Sequence, residues 1–437
     1  MIKVGGYIKK LSYVCVVMLL ILIRLPAAFS LSDNVIVRGI LLFLITIFIF
    51  LIFLWHLYQG ETHFLIKRWG LVAIAYACFL LLSIIQAIFR NSTDIVRIIG
   101  NFSVPTLSVI FCVLVCSMLS ENEVWHFQAA IFWMIFVYIL LNFLLWVTGI
   151  YNRPEIFIEP RSSILLSYLG IKFYRVTFPM ATGINSFGYT AGMILVSGLI
   201  LMFKSHCWTK YLGVFSILMG LITIALVDAR AALFFSAVAF ALSLLTIKPS
   251  RSWWIIALSM GIPILFLFVL DNLPDNWISL ISRSGEDALT LSNRTFVWQR
   301  AFDVLSPFQI HHLIGWGYRG QIPSGIMGTY VMLFSNYQNI TTIPLHNSFL
   351  QYIIEIGYVG LIVFVMLLFF LLKEISRQTL YSSSPWGLVM KGLVIYLVIS
   401  SSFDSVLSLD SQETFTVFLM IVSNAVVHRS ALSKSKS

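Results

Sequence analysis

Charge is scarce in this 437-residue chain. Asp, Glu, Lys and Arg together make up 11% of it, against 59% hydrophobic residues. A soluble core of that apolarity lacks the polar surface to cover it, so a water-soluble globular protein is excluded. Cysteine is sparse too: Cys15, Cys78, Cys112, Cys116 and Cys207 all fall in apolar runs or in a short basic loop. That excludes a disulfide-stapled external domain. No Walker-type phosphate loop occurs, which disfavours ATP-driven transport, and Gly315 and Gly317 lack the strand and helix setting of a nucleotide fingerprint. Metal-ligand spacing is missing as well. Asp228, Asp271, Asp275, Glu286, Asp287 and Asp303 form no recognisable ligand motif, and the adjacent His311 and His312 have no Cys or acidic companion. Neither a metal nor another cofactor is expected, and no nucleic acid partner.

What is present is run after run of apolar residues, each long enough for the ~20 that cross a ~30 Å hydrocarbon layer. Spans are expected near residues 11 to 31, 39 to 58, 70 to 89, 98 to 119, 125 to 149, 183 to 203, 211 to 227, 231 to 247, 253 to 270, 347 to 372, 386 to 404 and 412 to 428. The first holds Arg24 and Pro26, has no clear cleavage site and is followed at once by another span, so it is read as an anchored helix rather than a secretory signal. An all-α polytopic membrane protein of about twelve helices results. Lys3, Lys9 and Lys10 near one end and Arg429, Lys434 and Lys436 near the other put both termini on the cytoplasmic side.

On that topology eleven of the twelve lysines face inward, whereas eleven of the twelve outward-facing basic residues are arginines. A planar guanidinium grips phosphate oxygens in pairs, which an ammonium cannot do. The asymmetry therefore predicts a phosphorylated ligand outside. Most of those arginines sit in two long loops, residues 150 to 182 and 271 to 346; connections of that length are usually functional or disordered, and neither loop is low in complexity.

The second loop has internal pattern. Asn293 to Leu305 predicts a short amphipathic helix at the interface, capped by Asn293, with Phe296, Val297, Arg300 and Ala301 at helical spacing and Pro307 beyond its end. Gly315, Trp316, Gly317 and Tyr318 make a glycine-framed turn, followed by a polar, flexible stretch to Thr342. Pro344 to Ser348 closes the loop, placing His346 at the mouth of the tenth span.

The order of Asp228-Ala229-Arg230, then NRTFVWQRA, GWGY and PLHNSFLQYIIEIGYVG resembles the O-antigen ligase and polymerase superfamily of bacterial inner membranes. His346, with ten residues between it and Gly357, is similar to the histidine and glycine signature of the ligases. Two positions depart from the family pattern: Ala229 stands where members often carry serine, and Ser186 stands where the polymerase pattern, counted from Arg175, has glycine. The resemblance implies a GT-C-like helical framework, a polyprenyl-diphosphate-linked glycan as donor, and either the lipid A core or another lipid-linked repeat unit as acceptor. It also implies contact with the membrane and with polysaccharide-export partners. The domain plan that follows is spans 1 to 5 at residues 1–149, a periplasmic loop at 150–182, spans 6 to 9 at 183–270, a large periplasmic catalytic loop between spans 9 and 10 at 271–346, and spans 10 to 12 with a cytoplasmic tail at 347–437.

A sugar leaving as polyprenyl diphosphate puts negative charge on the bridging oxygen, which a metal or fixed arginines must stabilise. Arginine being plentiful, Arg230 and Arg294 are the leading clamps, with Arg175 and Arg300 behind them; Asn347, Gly315 and Gly317 complete the candidate substrate contacts. Arg230 stands between two apolar runs with only Asp228 as a local acid, a costly position for a charge near hydrocarbon. Its bland reading is a cation that snorkels to headgroups or pairs with Asp228; that of Arg294 is contact with lipid phosphates. His346 suits a general base, since imidazole can be neutral near pH 7, against the plainer roles of bonding its own helix entry or helping to bind phosphate while protonated. With no nucleophilic side chain in view, inversion at the anomeric carbon is expected. Glu355, nine positions after His346, falls on nearly the opposite helix face and is expected to pair with a neighbouring helix. One rival reading is a secondary transporter or flippase, but such proteins tend to show two similar halves, and here polar weight gathers in one late loop; another is a non-catalytic assembly scaffold, which gives no reason for arginine over lysine outside.

Overall fold

The computed structural model describes residues 2–28, 35–58, 65–90, 95–119, 123–149, 162–245, 252–270, 293–334, 343–381 and 384–428. Asp271, Asp275, Glu286, Asp287, the basic residues Lys248, Arg251, Arg429, Lys434 and Lys436, and the stretch 335–342 lie outside these, as do the side chains of Lys3, Lys9 and Lys10. The described chain is nearly all helix, in the order α1 (Ile2–Ala28), α2 (Val35–Tyr58), α3 (Gly70–Arg90), α4 (Ile95–Ser117), α5 (Val124–Val147), α6 (Ile164–Ser167), α7 (Ile184–Lys204), α8 (Trp208–Val227), α9 (Arg230–Leu244), α10 (Trp253–Leu270), α11 (Arg294–Leu305), α12 (Ile326–Tyr330), α13 (Ser348–Tyr381), α14 (Pro385–Ser400) and α15 (Gln412–Val426). Five of them are long and apolar enough to cross a membrane: α3, α5, α7, α8 and the Ser348–Thr379 part of α13. Shorter apolar stretches lie in α1, α2, α4, α9, α10 and α14. The chain is therefore a polytopic membrane protein.

The centre is α7, whose apolar window is 78% buried. It lies against α8 through small residues: a Cβ at Gly198 would meet the Gly213 carbonyl at 2.8 Å, and one at Gly213 would meet the Met202 amide at 2.6 Å. Close backbone approach of this kind is how helices gain packing energy where lipid offers no hydrophobic drive. Almost all of α14 is buried, between α7, α9 and α13. Two-residue strands, Leu65–Ile66 and Val427–His428, pair antiparallel at one end of the bundle, where Lys67 Nζ also meets Glu374 at 2.6 Å. The candidate site lies at the other end.

Two features of α13 and α14 differ from the sequence expectation and matter for function. α14 ends at Ser400 rather than 404, so residues 401–411 form a non-helical strap joining α14 to α15. α13 breaks at Gly357, whose φ of 73° and ψ of 179° belong to a region that only glycine enters readily. Into that break fits the GWGY turn. Trp316 N donates to Ile354 O at 2.7 Å and Gly317 N to Glu355 O at 3.0 Å, while a Cβ on Gly357 would collide with the Leu313 carbonyl. The ten-residue spacing from His346 thus measures three helical turns from the mouth of α13 to the notch that receives its own loop.

Candidate functional site

The stretch before α13 is held from several directions. Asn347 caps the helix, its Oδ1 accepting from Leu350 N at 2.9 Å, and Gln351 Oε1 accepts from Leu345 N at 3.1 Å. Between these anchors His346 adopts φ 51°, a left-handed conformation that is unfavourable for a residue with a Cβ. The ring lies 5.8 Å from that of Phe334. Its Nδ1 stands 3.1 Å from Asp404 Oδ1, and Asp404 Oδ2 stands 3.1 Å from Nη2 of Arg294. One carboxylate from the strap therefore joins the histidine of one element to the arginine of another. Tyr189 of α7 lies within electrostatic reach of both Asp404 and Arg294.

Burial by itself would raise the pKa of Asp404, but Arg294 and His346 outweigh it, with help from the Ser405 amide, and hold the carboxyl at about 2. The group is thus ionised at neutral pH. Because its folded pKa lies below its ordinary value of 3.8, the stability it contributes is fully present above about pH 4 and is lost as pH falls through about 2. Acid titration of the unfolding temperature is expected to lose this component in Asp404→Asn, which has no carboxylate left to protonate.

The helix that delivers Arg294 differs in detail from the sequence expectation. Asn293 occupies the capping position with φ 70°, but its amide donates to Leu333 O at 3.3 Å instead of capping the first turn. The buried face is Val297, Trp298, Ala301 and Leu305, with Phe296 exposed. That face packs on protein rather than on lipid: Trp298 Nε1 donates to Leu345 O at 3.0 Å, and its ring lies 6.0 Å from Phe403. Arg294 at the start of α11 therefore cannot move independently of the residues on either side of His346 and Asp404. Residues 319–334, expected to be flexible, include α12 and a further helical turn at Val331–Phe334.

The other candidates separate into two groups. Arg230 opens α9, half-buried, directly after the turn in which Asp228 takes φ 55°. Gly188 of α7 accepts the Ala229 side chain in close contact, which brings that turn beside Tyr189, and Phe235 of α9 lies 5.1 Å from Phe403. Arg175 reaches the same turn, with Nε donating to Val227 O at 2.9 Å and Nη2 to Asn185 Oδ1 at 3.3 Å. Arg230 and Arg175 are thus on the flank of the Asp404 centre. Arg300 is not: it is 55% exposed and pairs with Asp303 one turn along α11 at 3.2 Å. Asn347 spends both ends of its amide on protein, donating to Ser402 O at 2.8 Å besides capping α13. Gly315 and Gly317, at φ 76° and 93°, face the backbone of α13 and α3, so their role is to let three chain segments meet. His311 meets His312 and Trp316 edge-on, His312 lies tilted against Trp316, and Gln309 N donates to His312 Nδ1 at 3.3 Å. Among the described residues, no three His, Cys, Asp or Glu side chains form a metal-holding group. Glu355 accepts from Gln351 at 2.8 Å and from the Arg319 amide at 3.0 Å, so it buttresses the GWGY loop.

Sequence reasoning missed the acids of the strap. Asp404 joins Arg294. Asp410 accepts from Tyr318 at 2.7 Å and lies 3.5 Å from Arg319. Glu413, just beyond the strap, lies 3.6 Å from Arg24 and accepts from the Thr182 amide at 2.7 Å and from Tyr138 at 3.2 Å. Ser186 joins that last network, with its hydroxyl 3.3 Å from Glu413. A signal was there: three of the chain's eighteen acids fall within ten residues, in a serine-rich stretch between two apolar runs.

None of the curated proteins matches the chain. Residues 214–365, about a third of the chain, match the family model described as O-antigen ligase. The match takes in Arg230, Arg294, the GWGY turn, His346 and Gly357, and leaves out Arg175 and Asp404. This stretch, which holds His346 and the notch at Gly357, is therefore similar to the O-antigen ligases.

Proposed function

We propose that the protein is a ligase-type glycosyltransferase of the bacterial inner membrane, with cytoplasmic termini, that moves a glycan from undecaprenyl diphosphate to the lipid A core at the periplasmic face. The observation that carries this reading is the carboxylate of Asp404 set between His346 and Arg294, at 3.1 Å from each. An anionic oxygen at Nδ1 favours the tautomer protonated there, which leaves Nε2 as the acceptor. In the proposed step the acceptor hydroxyl gives its proton to Nε2 of His346 as its oxygen attacks the anomeric carbon. The bond from that carbon to the phosphate oxygen breaks, and undecaprenyl diphosphate leaves with the electron pair. Asp404 then faces an imidazolium, whose charge it stabilises. Arg294 and Arg230 act as the clamp for the pyrophosphate, with Arg175 behind the Arg230 turn. Direct displacement of this kind inverts the anomeric configuration.

The alternative within the same chemistry is a polymerase, which passes the glycan to a second lipid-linked repeat unit. A deletion strain complemented with wild type or Arg294→Ala separates the two by its lipopolysaccharide gel and its pool of lipid-linked glycan. Failure of Arg294→Ala to restore long chains, with long undecaprenyl-linked polymer accumulating, is the ligase result. Single repeat units on the core are the polymerase result. A wild-type profile from Arg294→Ala would remove the clamp role.

A further inference from the structure

The two residues after His346 engage the strap at four backbone groups. Asn347 Nδ2 donates to Ser402 O at 2.8 Å and Ser348 N to Ser401 O at 2.8 Å. The Ser348 hydroxyl then does two things at once, donating to the carbonyl of Asp404 at 3.0 Å and accepting from Leu407 N at 3.1 Å. Ser348 is wholly buried, so no water substitutes for these bonds. A single hydroxyl therefore closes the turn that begins at Asp404 and fixes it to the first residue of the helix that His346 precedes.

Other groups hold the strap more remotely. Tyr318 and Arg319 grip Asp410 six residues later, and Thr414 bonds Val406 O at 2.5 Å. Ser348 is different because it touches the backbone of Asp404 itself. From this we infer that Ser348 is a positioning residue, whose hydroxyl sets the separation between the Asp404 carboxylate and His346. The inference rests on the general-base reading of His346. A misplacement of about 1 Å in a reacting constellation can lower turnover on the order of 10²-fold.

The test uses the full-length protein in proteoliposomes with undecaprenyl-diphosphate-linked glycan as donor and lipid A core as acceptor, comparing Ser348→Ala, Asp404→Asn, His346→Ala and the double variant Ser348→Ala/Asp404→Asn. Ser348→Ala is expected to lower kcat about ten-fold or more while leaving the donor KM within about two-fold. The double variant is expected to be no slower than Asp404→Asn alone, because both changes disable the same contact. Should Ser348→Ala not fold, Ser348→Cys keeps the size and buried packing while replacing the hydroxyl with a weak hydrogen-bonding thiol, and the same kcat loss is expected. A kcat within two-fold of wild type for the folded serine variant, or losses that multiply in the double variant, would overturn the positioning role alone. Wild-type turnover in His346→Ala would overturn the general-base reading, and the positioning role with it.

Discussion

His346→Ala is expected to stop glycan transfer without disturbing membrane insertion. The imidazole is the group whose Nδ1 is fixed by Asp404 at 3.1 Å, and general-base assistance is worth roughly 10²- to 10⁴-fold in rate. A gel that resolves such a loss would show no long chains on the acceptor. Insertion should survive because, among the described residues, His346 packs modestly, with a ring contact to Phe334 and a bond to the strap, while Leu345, Asn347 and Ser348 are anchored independently. The alanine also inherits the left-handed backbone at φ 51°, a strain of about 1–2 kcal/mol that histidine already bears, so no new penalty arises. Normal protein abundance in the membrane with absent product is the result that supports catalysis. Transfer at the wild-type rate would remove His346 from the mechanism.

The largest effect on folding is expected at Gly357. Valine there must take φ 73° with ψ near 179°, a region essentially reserved for glycine, at a penalty of about 1–3 kcal/mol. Its side chain must also displace the backbone of Leu313 and Ile314, and backbone has no alternative rotamer to adopt. The GWGY turn would leave its notch, taking with it Trp316, which accepts from Arg90 at 2.7 Å, and Tyr318, which donates to Asp410. Little folded protein should be recovered in detergent, and what is recovered should melt many degrees lower. Gly387→Ala is the control. Among the described residues, a Cβ at that position in the first turn of α14 meets only Thr379 Cγ2 at 3.6 Å, an ordinary contact, and the backbone there is helical. That variant should be unchanged or more stable by about 0.5–1 kcal/mol, through the lower chain entropy of alanine in a helix. Equal melting of wild type and Gly357→Val would mean that the notch is not what holds the loop.

These two residues also mark what a membrane fold conceals. A lysine or arginine in an apolar run is conspicuous, so Arg24 and Arg230 were visible at once, yet the partner of Arg24 lies nearly four hundred positions away, in Gln412 and Glu413. Arg294 and Arg300 stand six positions apart on one helix, and the sequence ranks the first above the second without showing where either points. Only the docking of Trp298 against Leu345 turns the first inward, leaving the second with Asp303 in solvent.

The sequence by itself determined the class of the protein, because apolar run length is a local property that hydrocarbon thickness fixes. It determined the helix of Arg294, the glycine-framed turn and the place of His346 before a long helix, since caps, glycines and periodicity act over a few residues. The likeness to the O-antigen ligases also rests on the order of those motifs along the chain, within residues 214–365. Tertiary structure decided the centre. Asp404 meets His346 and Arg294 only because a strap fifty-eight positions from the histidine folds back across the end of α13, held by Ser348 and Asn347. Hydrogen bonds act over about 3 Å whatever the separation along the chain, so the identity of a partner carboxylate is a fact of packing, which local pattern does not encode.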